Sequence, residues 1–372
     1  MEGDLVHINK WLLPLSWLYG MGTAVRNALF DMGVLKSHSY NIPIICIGNL
    51  TVGGTGKTPH TEYLLQLLKK EHKVAVLSRG YKRKSKGYVL ATPESTVEEI
   101  GDEPWQMKQK YPDVYVAVDR DRRRGIRHLC RDEATRDVEV ILLDDAYQHR
   151  YVQAGVNILL VDYHRMITDD TLLPAGRLRE SKDGISRAHI VVVTKCPHTI
   201  KPMGFRVIRK ALDVRPYQQL YFSTFRYGLL LPIFGKGAER SLESIRPDES
   251  VLLLTGIGSP EQMQMDICHY SERITPLTYP DHHYFSSADV KHINQTFTTL
   301  PQPRIIITTE KDATRLRTLS GELSDEVKEA LYMLPVRVDI MRNEHTSFNE
   351  KIIDYVLKNS RNSILAKGRD DD

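Results

Sequence analysis

A chain of 372 residues, 41% apolar and 26% charged, is long enough for two compact domains and too evenly mixed to be disordered. Lys and Arg (51) exceed Asp and Glu (47) by four, too slight an excess to mark a nucleic-acid binder. Cys46, Cys130, Cys196 and Cys268 lie far apart with no C-x-x-C pair, which argues against a zinc or redox site and fits a reducing cytoplasm.

The most apolar stretch comes first, from Trp11 to Leu35. Pro14, Arg26 and Asp31 interrupt it and no uncharged run reaches the ~18 residues of a span, so a full membrane crossing is not expected. No small-residue cleavage pattern follows a short basic start, which disfavours a secretory signal. Trp11 and Trp17 beside Lys10, with Tyr19 following, suit a monotopic segment lying among lipid headgroups. An ordinary N-terminal helix packed on the core fits the same composition.

"IPIICIGNL" (42–50) is a β-branched run ending in a glycine turn, and Tyr63, Leu64, Leu67 and Leu68 then recur at helical spacing. "KVAVLSRG" (73–80), "VYVAVD" (114–119), "VEVILLDD" (138–145), "VNILLVD" (156–162) and "HIVVVTK" (189–195) repeat the theme of apolar strands ending in polar residues. Such strands, separated by helical stretches, predict an α/β fold: a P-loop NTPase-like parallel sheet with helices on both faces and function at the carboxyl ends of the strands. From about Tyr221 the pattern restarts with "ESVLLLTGIGSPEQ" (249–262), "PRIIITTEKDATRL" (303–316) and "LPVRVDI" (334–340), a smaller second α/β domain. The expected division is a membrane-associated helical segment at 1–36, a larger parallel-sheet domain at 37–222 and the smaller domain, closing over the cleft, at 223–372.

"GNLTVGGTGKTPH" (48–60) departs from G-x-x-x-x-G-K-[ST] in one place: Thr51 stands where the first glycine belongs. The rest fits a phosphate loop of Thr51, Val52, Gly53, Gly54, Thr55, Gly56, Lys57 and Thr58, between a strand and a helix. Gly53, Gly54 and Gly56 let the backbone curl around an anion, Lys57 reaches the outer phosphates and the Thr58 hydroxyl faces Mg²⁺. Asp144 and Asp145, ending a buried strand, have the placement of a Walker B carboxylate for that metal, although two acids there also suit a helix cap. "VVVTKCP" starts like the N/T-K-x-D guanine reader but carries Pro197 at the acidic position, and "TTEKD" sets its Asp directly after the Lys, so ATP is the expected nucleotide.

"LPLSWLYG", "GNLTVGGTGKTP", "SRGY", "GDEP", "DDAYQH", "LPAGRLRE", "DHH" and "TTEKDA" occur in the order seen in the tetraacyldisaccharide 4'-kinase family, which the chain resembles over nearly its whole length. Thr in the first glycine position is that family's own form, whereas Ala146 stands where the family usually has Gly after the Asp pair. The resemblance implies transfer of the γ-phosphoryl of ATP to the 4'-hydroxyl of tetraacyldisaccharide 1-phosphate, in lipid A biosynthesis, at the cytoplasmic face of the inner membrane. It implies Asp102 as base, paired with His282 from the second domain, Glu103 as an addition to the metal set, and Gln148, His149 and Arg179 near the transferred phosphate or acceptor, with Arg177 a rival to Arg179. Tyr81 and Arg122 stand out from the basic runs "RGYKRKSKG" and "DRDRRRGIR" as contacts for the acceptor phosphate or lipid headgroups. A glycolipid acceptor and a membrane surface are thus the expected partners, with no nucleic acid and no obligate protein partner. The contrasting class is a P-loop switch or metallochaperone-type NTPase, which hydrolyses nucleotide without a lipid acceptor.

Overall fold

The computed structural model describes residues 8–234, 237–258, 260–281 and 283–367, the side chains of 361–367 excepted. The chain divides into two compact units, one running to Thr224 and resuming at Val338, the other spanning Phe225–Arg337.

In the first unit, helix α1 (Leu13–Asp31) precedes strands β1 (Ile44–Asn49), β2 (Val74–Ser78), β3 (Val89–Leu90), β4 (Tyr115–Val118), β5 (Val140–Asp144), β6 (Val156–Asp162), β7 (Ile190–Thr194) and β8 (Gln219–Tyr227). Between them run α2 (Lys57–Leu68), α3 (Val97–Ile100), α4 (Asp102–Lys110), α5 (Arg122–Arg131) and α6 (Pro202–Ala211). β1, β2, β5 and β7 are buried along their whole length, because helices leave neither face of the sheet wet. Ile126 and Leu129 of α5, for example, pack on Leu77, Ala117 and Leu143. β1 lies centrally, parallel to β6 on one side and β5 on the other, and the register sets Ile47 opposite Asp144. The carboxylates ending β5 therefore stand level with the loop that leaves β1.

The second unit is a five-stranded sheet ordered β11-β10-β12-β13-β9, where β9 is Leu231–Pro232, β10 Ser250–Thr255, β11 Arg273–Thr278, β12 Arg304–Thr309 and β13 Leu331–Leu334. Helices α7 (Glu261–Ile267), α8 (Ser287–Thr299), α9 (Glu310–Arg317) and α10 (Asp325–Ala330) alternate with these strands, and Ile293, Phe297 and Val327 pack on Leu252, Leu254 and Ile306.

The end of the chain departs from the expected division. Strand β14 (Val336–Ile340) joins the first unit's sheet beside β8, and α11 (His345–Lys367) follows it there. The anchors are aromatic: Phe348 meets Tyr63 and Tyr221 edge-on at 5.9 and 5.1 Å, and the Tyr355 hydroxyl receives the Ile44 N–H and donates to the Ile44 carbonyl. The smaller unit thus ends at Arg337, because residues 338 onward bury their apolar side chains against β1, α2 and β8.

Candidate active site

Thr51 explains itself structurally. It forms an isolated antiparallel bridge with Leu178, flanked by hydrogen bonds from Val52 N to Arg177 O (2.8 Å) and from Arg179 N to Leu50 O (2.7 Å). Extended, paired backbone has no use for glycine; the left-handed conformations fall instead on Gly53 (φ 115°) and Gly56 (φ 81°). Gly48 serves packing rather than the loop, since a Cβ there would stand 2.7 Å from Tyr147 Cβ. The loop is pinned from inside by Asn49 Nδ2 to Thr55 Oγ1 (2.7 Å) and Thr194 Oγ1 to Thr55 O (3.0 Å). Gly56 then caps α2, so the unpaired amides of that helix open at Lys57 and Thr58.

Adjacent carboxylates meet opposite environments here. Asp144 is buried, accepting from Thr61 Oγ1 (3.2 Å) and Ser78 Oγ (3.3 Å), and its pKa is raised to about 7 by burial and by the charges of Glu103 and Asp145, which Lys57 only partly offsets. Asp145 sits in a left-handed turn (φ 45°) with Arg179 NH1 at 2.9 and 3.1 Å and Lys57 Nζ at 3.7 Å. Burial raises its pKa too, but Lys57, Arg179 and Arg122 outweigh that and hold it below the usual carboxylate range. Arg177 is exposed, so of the two rival arginines Arg179 is the one the fold brings to the acids.

The other expected residues divide. Gln148 gives Nε2 to Asn49 O (2.7 Å) and Glu180 Oε1 (3.1 Å), and its Oε1 lies 3.4 Å from Arg179 NH1, so it braces the arginine. Arg122, expected at the acceptor, is instead buried; NH1 and NH2 donate to the carbonyls of Asp119 and Asp144, and burial pushes its pKa down to about 10. It holds up the turn after β5, and only Nε has no hydrogen-bond partner among the described residues. His149 stands 3.8 Å from Asp121, and burial, then Arg122, lowers its pKa to about 4, making it a neutral imidazole near pH 7. Tyr81 is half-exposed with the Lys82 ammonium 5.8 Å from its ring centre.

Asp102 opens α4 behind Gly101, whose φ of 92° and whose missing Cβ, 3.0 Å from Tyr81 O, let the "GDEP" turn lie against the "SRGY" turn. Its expected partner, His282, lies outside the described residues. Neighbouring His283 is committed locally, with Nε2 2.9 Å from Asp289 and its ring stacked on Tyr279. Thr61, Ser78 and Glu180 were not singled out by sequence reasoning. The only signal for Ser78 and Glu180 was their place at the edges of "SRGY" and "LPAGRLRE".

A glycine loop and helix N-terminus at the end of a central parallel strand, with a lysine, an arginine and two carboxylates converging beside it, define a P-loop phosphotransferase. The chain belongs to the family described as tetraacyldisaccharide-1-P 4'-kinase (LpxK), which it matches over residues 8–356. It is 57% identical to a tetraacyldisaccharide 4'-kinase of Phocaeicola vulgatus over 98% of this chain and 99% of that one, and 54% identical to one of Bacteroides fragilis over 100% and 99%. Among solved structures it is similar to Aquifex aeolicus LpxK, an "apo" form in complex with ATP, with a TM-score of 0.68 and 29% identity over 93% of this chain and 98% of that one.

Proposed function

We propose that this chain transfers the γ-phosphoryl of ATP to the 4'-hydroxyl of tetraacyldisaccharide 1-phosphate, forming the 1,4'-bisphosphorylated lipid A precursor. The observation that carries the reading is the convergence of Lys57, Asp144, Asp145 and Arg179 on one phosphate loop. The β- and γ-phosphates lie at the open amides of Lys57 and Thr58, inside the curl of the glycine loop, and Lys57 and Arg179 meet the charge that spreads over the transferring group.

The donor set fits Mg²⁺. Asp144 is a buried carboxylate pressed by two others, and among the described residues no cluster of three or more acidic, His or Cys side chains forms a protein-only cage. A hard cation held by one or two carboxylates, a threonine hydroxyl and substrate phosphates is the usual arrangement. Thr58, Asp144 and Asp145 would hold it, with Glu103 adding charge, and the ion supplies neutralisation of the phosphate oxygens. Asp102, with His282 as its partner, takes the proton of the attacking 4'-hydroxyl, while Tyr81 and His149 flank the acceptor.

Helix α1 brings the enzyme to its acceptor. Trp11, Trp17, Leu18, Met21 and Val25 are all more than half exposed, and no described helix is long and apolar enough to cross a membrane, so an in-plane seat on the inner membrane's cytoplasmic face suits this segment. The test is transfer of ³²P from γ-labelled ATP to tetraacyldisaccharide 1-phosphate in mixed micelles with Mg²⁺. Labelled lipid from the wild type and none from Lys57→Ala supports the reading; phosphate release without labelled lipid refutes it.

A further inference from the structure

Helix α1 has two faces of different chemistry. Outward lie Trp17, Leu18, Met21 and Val25. Inward, at the same helical spacing, lie Ser16, Tyr19, Arg26 and Asn27, and each of these makes a hydrogen bond to the body of the first unit, beside the apolar seat of Phe30 on Tyr151. Ser16 ties the helix to Leu172 O and Ala175 N, at 2.9 Å each. The other three reach the groups that hold Arg179. The Tyr19 hydroxyl donates to the Arg179 carbonyl (2.7 Å), Arg26 donates to the Gln148 carbonyl (2.9 Å), and Asn27 Nδ2 donates to Glu180 Oε2 (3.1 Å). Glu180 is buried, and its Oε1 receives Gln148 Nε2 (3.1 Å) and Arg187 NH2 (2.7 Å). Gln148 and Asp145 in turn fix the Arg179 guanidinium. Arg150 locks Asn27 from behind, donating to both its carbonyl and its Oδ1.

We propose that Tyr19 and Asn27 are positioning residues for phosphoryl transfer: α1, beyond seating the protein on a lipid surface, sets the backbone and side-chain geometry of Arg179. An anchor alone needs only apolar packing beneath it. Here the backbone on both sides of the Arg179 Cα is held, by Tyr19 at its carbonyl and by Leu50 O at its N–H, while Asn27 secures the carboxylate that orients Gln148. Displacing a transition-state contact by a fraction of an ångström lowers turnover without weakening ground-state binding.

The inference rests on the reading of Arg179 as a group facing the transferred phosphoryl, and the experiment separates the two. Initial rates of labelled transfer are measured at saturating ATP and lipid for the wild type, Tyr19→Phe, Asn27→Ala, Arg179→Lys and Tyr19→Phe/Arg179→Lys. Tyr19→Phe and Asn27→Ala are expected to lower kcat by about five- to tenfold with the ATP and lipid KM values held within about twofold, the signature of a contact used in the transition state. In the Arg179→Lys background the Tyr19→Phe step is expected to shrink to about twofold or less, because residues acting through one another are not additive. An unchanged kcat in Tyr19→Phe, or full additivity with Arg179→Lys, overturns the proposal. If Asn27→Ala fails to fold, Tyr19→Phe, which removes one oxygen and keeps the ring, still decides it. A wild-type kcat in Arg179→Lys itself would instead remove the reading of the site on which the proposal stands.

Discussion

Two segments of this chain read alike as sequence and differ in what they can hold. β1 with its loop and α2, and β10 with "GIGSPEQ" and α7, are each a buried strand, a glycine turn and a helix. At the first, the open amides of α2 face Lys57 and the acids of β5. At the second, the Gly256 N–H is taken by Asp312 Oδ2 (2.8 Å), which also receives the Thr309 hydroxyl, while Oδ1 receives Arg315. A Cβ on Gly256 would lie 2.9 Å from that carboxylate, so the chain's own anion occupies the turn. A glycine turn before a helix becomes a phosphate site only when the fold leaves its amides open and places cations there.

The largest expected effect breaks the first segment. Lys57→Ala should lower transfer by ~10³-fold, since a preorganised charge at the transferring phosphoryl is worth about 4 kcal/mol, and initial rates at saturating substrates check it. The corresponding cut in the second segment acts on stability. Asp312→Ala leaves a buried Gly256 amide without its acceptor and takes a buried carboxylate away from the Arg315 guanidinium, and should cost about 3 kcal/mol in denaturant unfolding while ATP affinity, read by calorimetry, stays the same. Equal losses of ATP affinity in both variants would erase the contrast.

The acid pair gives a pH test. A carboxyl whose folded pKa is about 7, against 3.8 unfolded, keeps its proton in the folded state while the unfolded chain has lost its own. Through this group the metal-free protein therefore loses stability as pH rises from about 4 to about 7, the reverse of the usual paired carboxylate, and Asp144→Asn should flatten that slope in thermal melts. The same proton competes with Mg²⁺, so the Mg²⁺ concentration for half-maximal transfer should fall by roughly fivefold between pH 6 and 7 and by about twofold more before it levels off near pH 8. The smallest effect belongs to Thr51→Gly. It restores the common spelling of the loop but frees a residue held in an extended bridge, so it should destabilise by about 1 kcal/mol and change the ATP KM less than twofold.

By itself the sequence determined the strand–loop–helix at 44–68, the Asp pair ending β5 and the restart of an α/β pattern near residue 221, because hydrophobic periodicity and glycine chemistry are local. Its order of motifs also carried the family. Only the tertiary structure decided that β14 and α11 return to the first unit, since that depends on where Phe348 and Tyr355 find apolar partners. Only it separated Arg179 from Arg177, turned Arg122 and Gln148 into braces, and gave Asp144 and Asp145 opposite proton affinities. Neighbours in the chain share a composition, but charge, burial and hydrogen bonding are set by what folding carries to them from a hundred residues away.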